Sequence, residues 1–323
     1  MGSIKVMHRR QFLRLVLTGA ALSQLPTIAH AGGPLRLVLV HGRAQQDLNP
    51  EALKAEWIDA LKTGAAAGGR PLPDVTEVAF PYYGDRLDEL ARNFNVPLTS
   101  EIMARGDDTQ DEFLVFQAQV AEELRQRAGV TDAQVDLEYG DNPEPRGPLN
   151  WEWVQAILRA LDKHGGGLSR TALELFTRDV FIYTTRPGVR DAVDAIVRAT
   201  ITEQPTVVIA HSLGSVVAYS ALTTDPRGLS VPLYVTLGCP LGIRAIRDQF
   251  RPIRYPVPVK AWFNGYDQRD VVALFPLDLD NFPVVPPIEN FSEIDNHTDD
   301  HHGIVGYLDD RTVANRVLTA IGG

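Results

Sequence analysis

The sequence predicts an α/β protein: a mostly parallel central sheet flanked by helices, with a helical insertion between two of the strands. Three observations carry this. Short, nearly continuous apolar runs at 35–40, 207–209 and 231–237 have the composition of strands buried on both faces, as in a sheet covered by helices on both sides. Amphipathic helical patterns alternate with these runs, as in strand–helix–strand units. Between the second and third strands lies a stretch of ~90 residues with no strand signal, too long for a loop and expected to be a helical cap.

The chain has 323 residues, 44% of them hydrophobic, enough for a large core in one domain, alone or with an inserted cap. Its net charge of -10 and the absence of a basic run beyond the first residues argue against a nucleic-acid partner, which needs Lys and Arg to neutralise phosphates. One cysteine, Cys239, makes an internal disulfide impossible, so cysteine usage names no compartment.

At the N-terminus, His8-Arg9-Arg10-Gln11-Phe12-Leu13-Arg14 precedes a moderately apolar stretch to Leu25 and the small-x-small triplet Ala29-His30-Ala31. This resembles a bacterial twin-arginine (Tat) export signal, which implies that residues 1–31 are removed and that the mature chain is periplasmic or extracellular. The alternative is a basic amphipathic helix. The apolar stretch, broken by Pro26, falls short of the ~20 residues that span a bilayer.

The first strand, 35–40, runs into His41-Gly42-Arg43. Residues 51–62 follow as an amphipathic helix opened by Asn49-Pro50 and closed by a Gly/Ala-rich stretch. A second strand is expected over 75–80. The cap, approximately 85–178, holds helical patterns at 112–127 and 151–162, separated by a turn-rich segment with three prolines. A helix over 191–200 leads into the strand ending at His211. Further strands are expected at 231–237 and, last, at 258–264, and a final helix at 312–321. The aromatics Tyr82, Tyr83, Trp151, Trp153, Phe113 and Phe116 are candidates for a substrate pocket, although such spacings are also those of plain core.

The most informative segment is Thr206 to Tyr219. A buried strand runs straight into a helix, with Ser212 at the corner and small residues, Ala210 and Gly214, two positions either side. A turn this tight admits only small side chains there and pushes the serine hydroxyl out above the sheet edge: a nucleophile elbow. The plain alternative is a serine N-cap on an ordinary helix. A serine hydroxyl at neutral pH is a poor nucleophile and needs a base within hydrogen-bond reach, itself oriented by a carboxylate. Asp267 and Asp270 follow the strand expected at 258–264, and His297, His301 and His302 precede the final helix.

The chain resembles the α/β-hydrolase superfamily, specifically its serine esterase and lipase-like members, over essentially all of residues 35–321. The likeness is carried by His41-Gly42, the elbow Ala210 to Gly214, Thr236 to Gly242, Asp270 to Ala273 and His302-Gly303-Ile304, and by the order serine, acid, histidine. It implies an α/β-hydrolase fold and a triad of Ser212, Asp270 and His302 cleaving carboxylic esters, including lipid esters, with no cofactor. Asp270 is preferred because Val271-Val272 would plug its loop into the core, with Asp267 the alternative. His302 is preferred for the glycine beside it, with His301 the alternative. The oxyanion is expected to be held by the backbone N–H groups of Leu213 and Arg43. The Arg43 guanidinium would pair with an acid or meet an anionic substrate group.

Other readings stay open: a non-catalytic binding protein on this scaffold, or an acyltransferase or thioesterase using the same triad. The cluster Asp295 to His302 is rich in metal-ligand types, but with no second cluster and no glutamate between the histidines no metal is expected. The partners expected are a small-molecule or lipid ester, with no nucleic acid and no stable membrane span; the sequence sets no oligomeric state.

Overall fold

The computed structural model describes residues 36–73, 77–94, 96–101, 108–141 and 144–322. The expected export signal, residues 1–31, lies outside them. Six parallel strands form one sheet in the order β2-β1-β3-β4-β5-β6, comprising β1 (Arg36–Val40), β2 (Glu77–Ala79), β3 (Thr206–His211), β4 (Tyr234–Leu237), β5 (Trp262–Gly265) and β6 (Glu289–Phe291). Around it the chain forms α1 (Pro50–Ala67), α2 (Gly84–Phe94), α3 (Asp108–Arg127), α4 (Asp132–Tyr139), α5 (Trp151–His164), α6 (Arg170–Thr185), α7 (Pro187–Thr200), α8 (Leu213–Thr224), α9 (Arg244–Arg247), α10 (Val305–Leu308) and α11 (Arg311–Ala320). No helix among the described residues is long and apolar enough to cross a membrane.

The apolar strands have no polar face because both of their faces are covered. Leu37, Leu39, Val207, Ile209, Val235 and Phe263 pack against α1, α10 and α11. The alternate residues Val38, Val40, Val208, Ala210, Tyr234 and Trp262 pack into a larger cluster with α7, α8 and the helices between β2 and β3. The period of two along each strand thus divides between two helical layers.

Two strand expectations are corrected. The strand expected at 231–237 is β4, Tyr234–Leu237; Pro232 cannot donate to the ladder, and Val231 makes only an isolated bridge to Val259. The strand at 258–264, expected to be last, is followed by β6 on its outer edge. At three residues, with Asn290 at its centre, β6 has no apolar run to announce it.

The helical segment runs from α2 through α7, and the boundary expected at Arg178 falls inside α6. The β-branched and aromatic run at 180–185 stays helical because it is buried nearly all round and its threonines bond back into the helix. Thr184 Oγ1 donates to Val180 O (2.7 Å) and Thr185 Oγ1 to Phe181 O (2.6 Å). Helix α6 is also pinned from behind: its buried Glu174 accepts from Gln155 Nε2 (2.8 Å) and Ser100 Oγ (2.5 Å).

Chain direction across the sheet reverses between β1 and β3, because β2 lies on one side of β1 and β3 to β6 lie on the other. The loops at the carboxyl ends of β1 and β3 therefore part at this point, leaving the crevice where parallel sheets bind ligands.

Candidate active site

At that switch point β3 ends and α8 begins with no intervening loop. Ser212, between them, has φ 53° and ψ -128°, a left-handed conformation that costs a non-glycine residue ~1–3 kcal/mol and so points to a functional constraint. The corner is held by the Ser212 N–H donating to Leu237 O (3.0 Å) and by Ser215 Oγ donating to Ala210 O (3.1 Å). The close approach behind it requires two glycines. A Cβ at Gly214 would press into the carbonyl oxygens of Val40 and His41, and one at Gly42 would lie 3.0 Å from the Ser212 Cβ. The turn after β1 is thereby seated directly against the elbow.

Ser212 Oγ lies 2.9 Å from His302 Nε2, and His302 Nδ1 lies 2.7 Å from Asp270 Oδ2. Asp270 is fully buried; a carboxylate only accepts, so Nδ1 carries the proton and Nε2 is left to accept from the serine hydroxyl. Asp270 is positioned by β5 and by the short turn Val271–Ala273, where its Oδ1 accepts from Val272 N–H (3.1 Å) and both valines enter the core.

The alternative acid, Asp267, does not reach the imidazole. Its oxygens accept from Arg269 N–H (2.7 Å), Arg269 Nη2 (2.6 Å) and Asn296 N–H (2.7 Å), which ties the β5 loop to the histidine loop. Burial works against its charge, yet these donors hold its carboxyl below the ordinary aspartate value. The other late histidines bond elsewhere: His301 Nδ1 to Asn296 O (2.9 Å) and His297 Nε2 to Asp309 Oδ2 (2.7 Å). Among the described residues no three His, Cys, Asp or Glu side chains converge as a metal-holding group.

Two buried imidazoles, His41 and His211, and the half-buried His302 share this region with contrasting electrostatics. Burial alone drives His41 down to about 4; its Nε2 accepts from Tyr83 N–H (3.0 Å) while Nδ1 donates to Gly42 O (2.7 Å). His211 is held well below 6.5 by burial and by the neighbouring His302, and its Nε2–H donates to the His302 carbonyl (2.7 Å). For His302 burial also acts downward, but Asp270, by charge and hydrogen bond, and the charge of Asp300 outweigh it, and its pKa is raised above 6.5. Of these three, His302 alone is poised to take a proton near neutrality.

The two N–H groups expected to hold an oxyanion belong to Leu213, which opens α8, where the helix dipole favours negative charge, and to Arg43, in the turn seated on Ser212. Neither donates to another group among the described residues. The Arg43 guanidinium pairs with an acid, Nε to Asp179 Oδ2 of α6 (3.0 Å). At its other end the approach to α6 adjoins the histidine loop, where Gly167 packs on the Asp300 carbonyl. Helix α6 thus bridges the site from the histidine loop to the turn after β1.

A cavity of about 460 Å³ opens beside Ser212 and His302. Leu168, Ala172 and Phe176, one stripe along α6 and its approach, form one wall, and Trp57, Ile304 and Val305 contribute to the other. The aromatics expected to line a pocket lie elsewhere. Phe113 and Phe116 pack on Phe181, Trp153 packs on Tyr139, the Tyr83 hydroxyl donates to His41 O, and Tyr82 donates to Asp85 (2.7 Å). Trp151 lines a separate polar cavity with Arg159 and Arg170. Their spacing matched core packing equally well, and only the path of α6 decides what faces the serine.

Sequence reading missed Tyr307, Gly238 and the role of His211. Tyr307 O–H donates to Asp270 Oδ2 (2.5 Å), and Gly238, at φ 56°, lies under the Asp270–His302 pair, where a Cβ would come within 3.0 Å of Asp270 Oδ2. A glycine directly after a strand was the one available signal for the latter. Comparison of the chain with protein-family models, curated proteins and solved structures found no match.

Proposed function

We propose that the chain is a serine hydrolase of the α/β-hydrolase type that cleaves carboxylic esters through an acyl-enzyme. The observation that carries this is the unbroken sequence of hydrogen bonds from Ser212 Oγ through His302 to the buried Asp270, on a strained corner at the switch point of a parallel sheet.

In this reading Ser212 Oγ attacks the ester carbonyl carbon as His302 Nε2 takes its proton, while Asp270 orients the imidazole and stabilises the imidazolium. The Leu213 and Arg43 N–H groups donate to the developing oxyanion, each worth ~3–4 kcal/mol of barrier. Collapse of the tetrahedral intermediate expels the alkoxide, which takes the proton from His302. Water, deprotonated by the same imidazole, then attacks the acyl-serine, and the carboxylic acid leaves as Oγ regains its proton. The apolar part of the cavity lining, Leu168, Ala172, Phe176 and Trp57, suits an acyl or alkyl chain, with Arg43, Glu56 and Asp300 also on the lining. The Arg9-Arg10 segment supports export of the chain to the periplasm or exterior.

The test is labelling by a fluorophosphonate, together with hydrolysis of p-nitrophenyl esters of graded acyl length. Wild type is expected to label and turn over, and Ser212→Ala to do neither. Equal labelling of both removes Ser212 as the nucleophile, and ester hydrolysis indifferent to Ser212→Ala removes the mechanism.

A further inference from the structure

The Asp270 Oδ2 atom that accepts from His302 Nδ1–H (2.7 Å) accepts a second proton donor, the hydroxyl of Tyr307 (2.5 Å). The direction of this bond is fixed by its surroundings. Tyr307 Oη already accepts from the Asp267 N–H (3.3 Å), so its own proton points at Asp270. Asp270 and Tyr307 are both fully buried, and burial followed by the Asp270 charge keeps the phenol a protonated donor. Tyr307 lies in α10, whose neighbour Gly306 packs on the Asn296 side chain, while Asn296 Nδ2 holds Gly303 O beside His302 (2.9 Å). One short helix therefore touches both the acid and the loop that carries the base.

We propose that Tyr307 is a positioning residue for the Asp270–His302 pair: by sharing the carboxylate oxygen that His302 uses, it fixes the orientation of Asp270 and tempers how strongly Asp270 holds the imidazolium. The inference rests on the serine-hydrolase reading. The other groups facing the pair and its phenol are Asp300 from the histidine loop, Asp267 from the loop after β5, Arg43 from the turn after β1, and the neutral His211 at the end of β3. Tyr307→Phe removes none of them.

The sign of the effect follows from the charges. Without the phenol the unprotonated state of the pair, neutral imidazole beside carboxylate, loses a donor and the pair holds its proton more tightly. In Tyr307→Phe the acid limb of the pH profile of kcat/KM, and of the Ser212 labelling rate, is expected to move up by about half a unit to one unit. The value of kcat at its plateau falls about tenfold, with KM little changed. Because Tyr307 acts through Asp270, Asp270→Asn combined with Tyr307→Phe is expected to be no slower than Asp270→Asn alone.

A Tyr307→Phe profile that superimposes on wild type, or a double variant whose losses simply add, overturns the inference while labelling of wild-type Ser212 leaves the hydrolase reading standing. Absence of labelling in wild type fails that reading itself. Should the phenylalanine variant not fold, the full chain made with 3-fluorotyrosine in place of its nine tyrosines supplies a more acidic donor at the same place. Its acid limb is expected to move down, and an unmoved limb likewise overturns the inference.

Discussion

Replacing each of the two candidate acids by asparagine separates orientation of the base from support of the loop. Asp270 offers acceptors only, and both oxygens are engaged: Oδ2 takes His302 Nδ1–H and Tyr307 O–H, and Oδ1 takes Val272 N–H. An asparagine cannot meet all three. With its oxygen toward His302, its amide opposes the Val272 N–H, leaving a buried donor unpaired at ~1–3 kcal/mol, and the imidazolium loses its counter-charge. With its amide toward His302, the imidazole must put its proton on Nε2, where it can no longer accept from Ser212. A charge-assisted bond at ~1.5–3 kcal/mol accounts for about one to two decades, and the wrong tautomer brings the total loss to about 10³–10⁴ in kcat. Asp267→Asn instead disrupts a nearly buried carboxylate serving Arg269 and the Asn296 N–H, costing ~1–3 kcal/mol of stability, with kcat within about tenfold of wild type. Steady-state hydrolysis of a short p-nitrophenyl ester and thermal melting of both variants read the two effects. A larger rate loss in Asp267→Asn than in Asp270→Asn refutes the assignment.

Because the His302 pKa is raised and only its neutral form accepts the serine proton, kcat/KM should rise with pH through a midpoint above 6.5. Asp300→Asn, which removes one of the charges raising it, should move the midpoint down; a midpoint below 6.5, or an upward move in the variant, contradicts this electrostatic account. Gly214→Ala drives a methyl into the Val40 and His41 carbonyls, where the backbone of two elements must give way; a loss of ~3 kcal/mol or more, with labelling abolished, is expected in melting and probe assays, and an active, stable variant would dismiss the elbow packing. Asp179→Asn uncouples α6 from the Arg43 turn and should lower kcat/KM about tenfold; because the pair is largely buried, it should also cost ~1–3 kcal/mol of stability, and unchanged turnover would show that the ion pair does not support the oxyanion donors.

Much of the layout was legible because it is local. Apolar strands covered on both faces need no long-range information to read, and neither does the strand–serine–helix corner, whose tightness is written in Ala210 and Gly214. The chain order of Ser212, the two aspartates and the late histidines was equally plain. What remained ambiguous were choices between neighbours. Asp267 and Asp270, like His301 and His302, differ by one to three positions, and which of each faces the serine depends on how the β5 loop and the histidine loop lock together through Asn296 and Arg269. Strand β6 was hidden because an edge strand of three residues draws its stability from pairing to β5 rather than from its own composition.

The one-dimensional pattern therefore determined the alternation of strands and helices, the corner at Ser212 and the short set of groups able to serve it, since backbone propensity and burial periodicity act over a few residues. Tertiary packing alone decided that Tyr307 shares the carboxylate with His302, that His211 holds the histidine loop, and that α6 rather than the Tyr82–Tyr83 pair walls the cavity. Those contacts join residues dozens of positions apart, and their partners are selected by the geometry of the open sheet and its helical layers rather than by any local propensity.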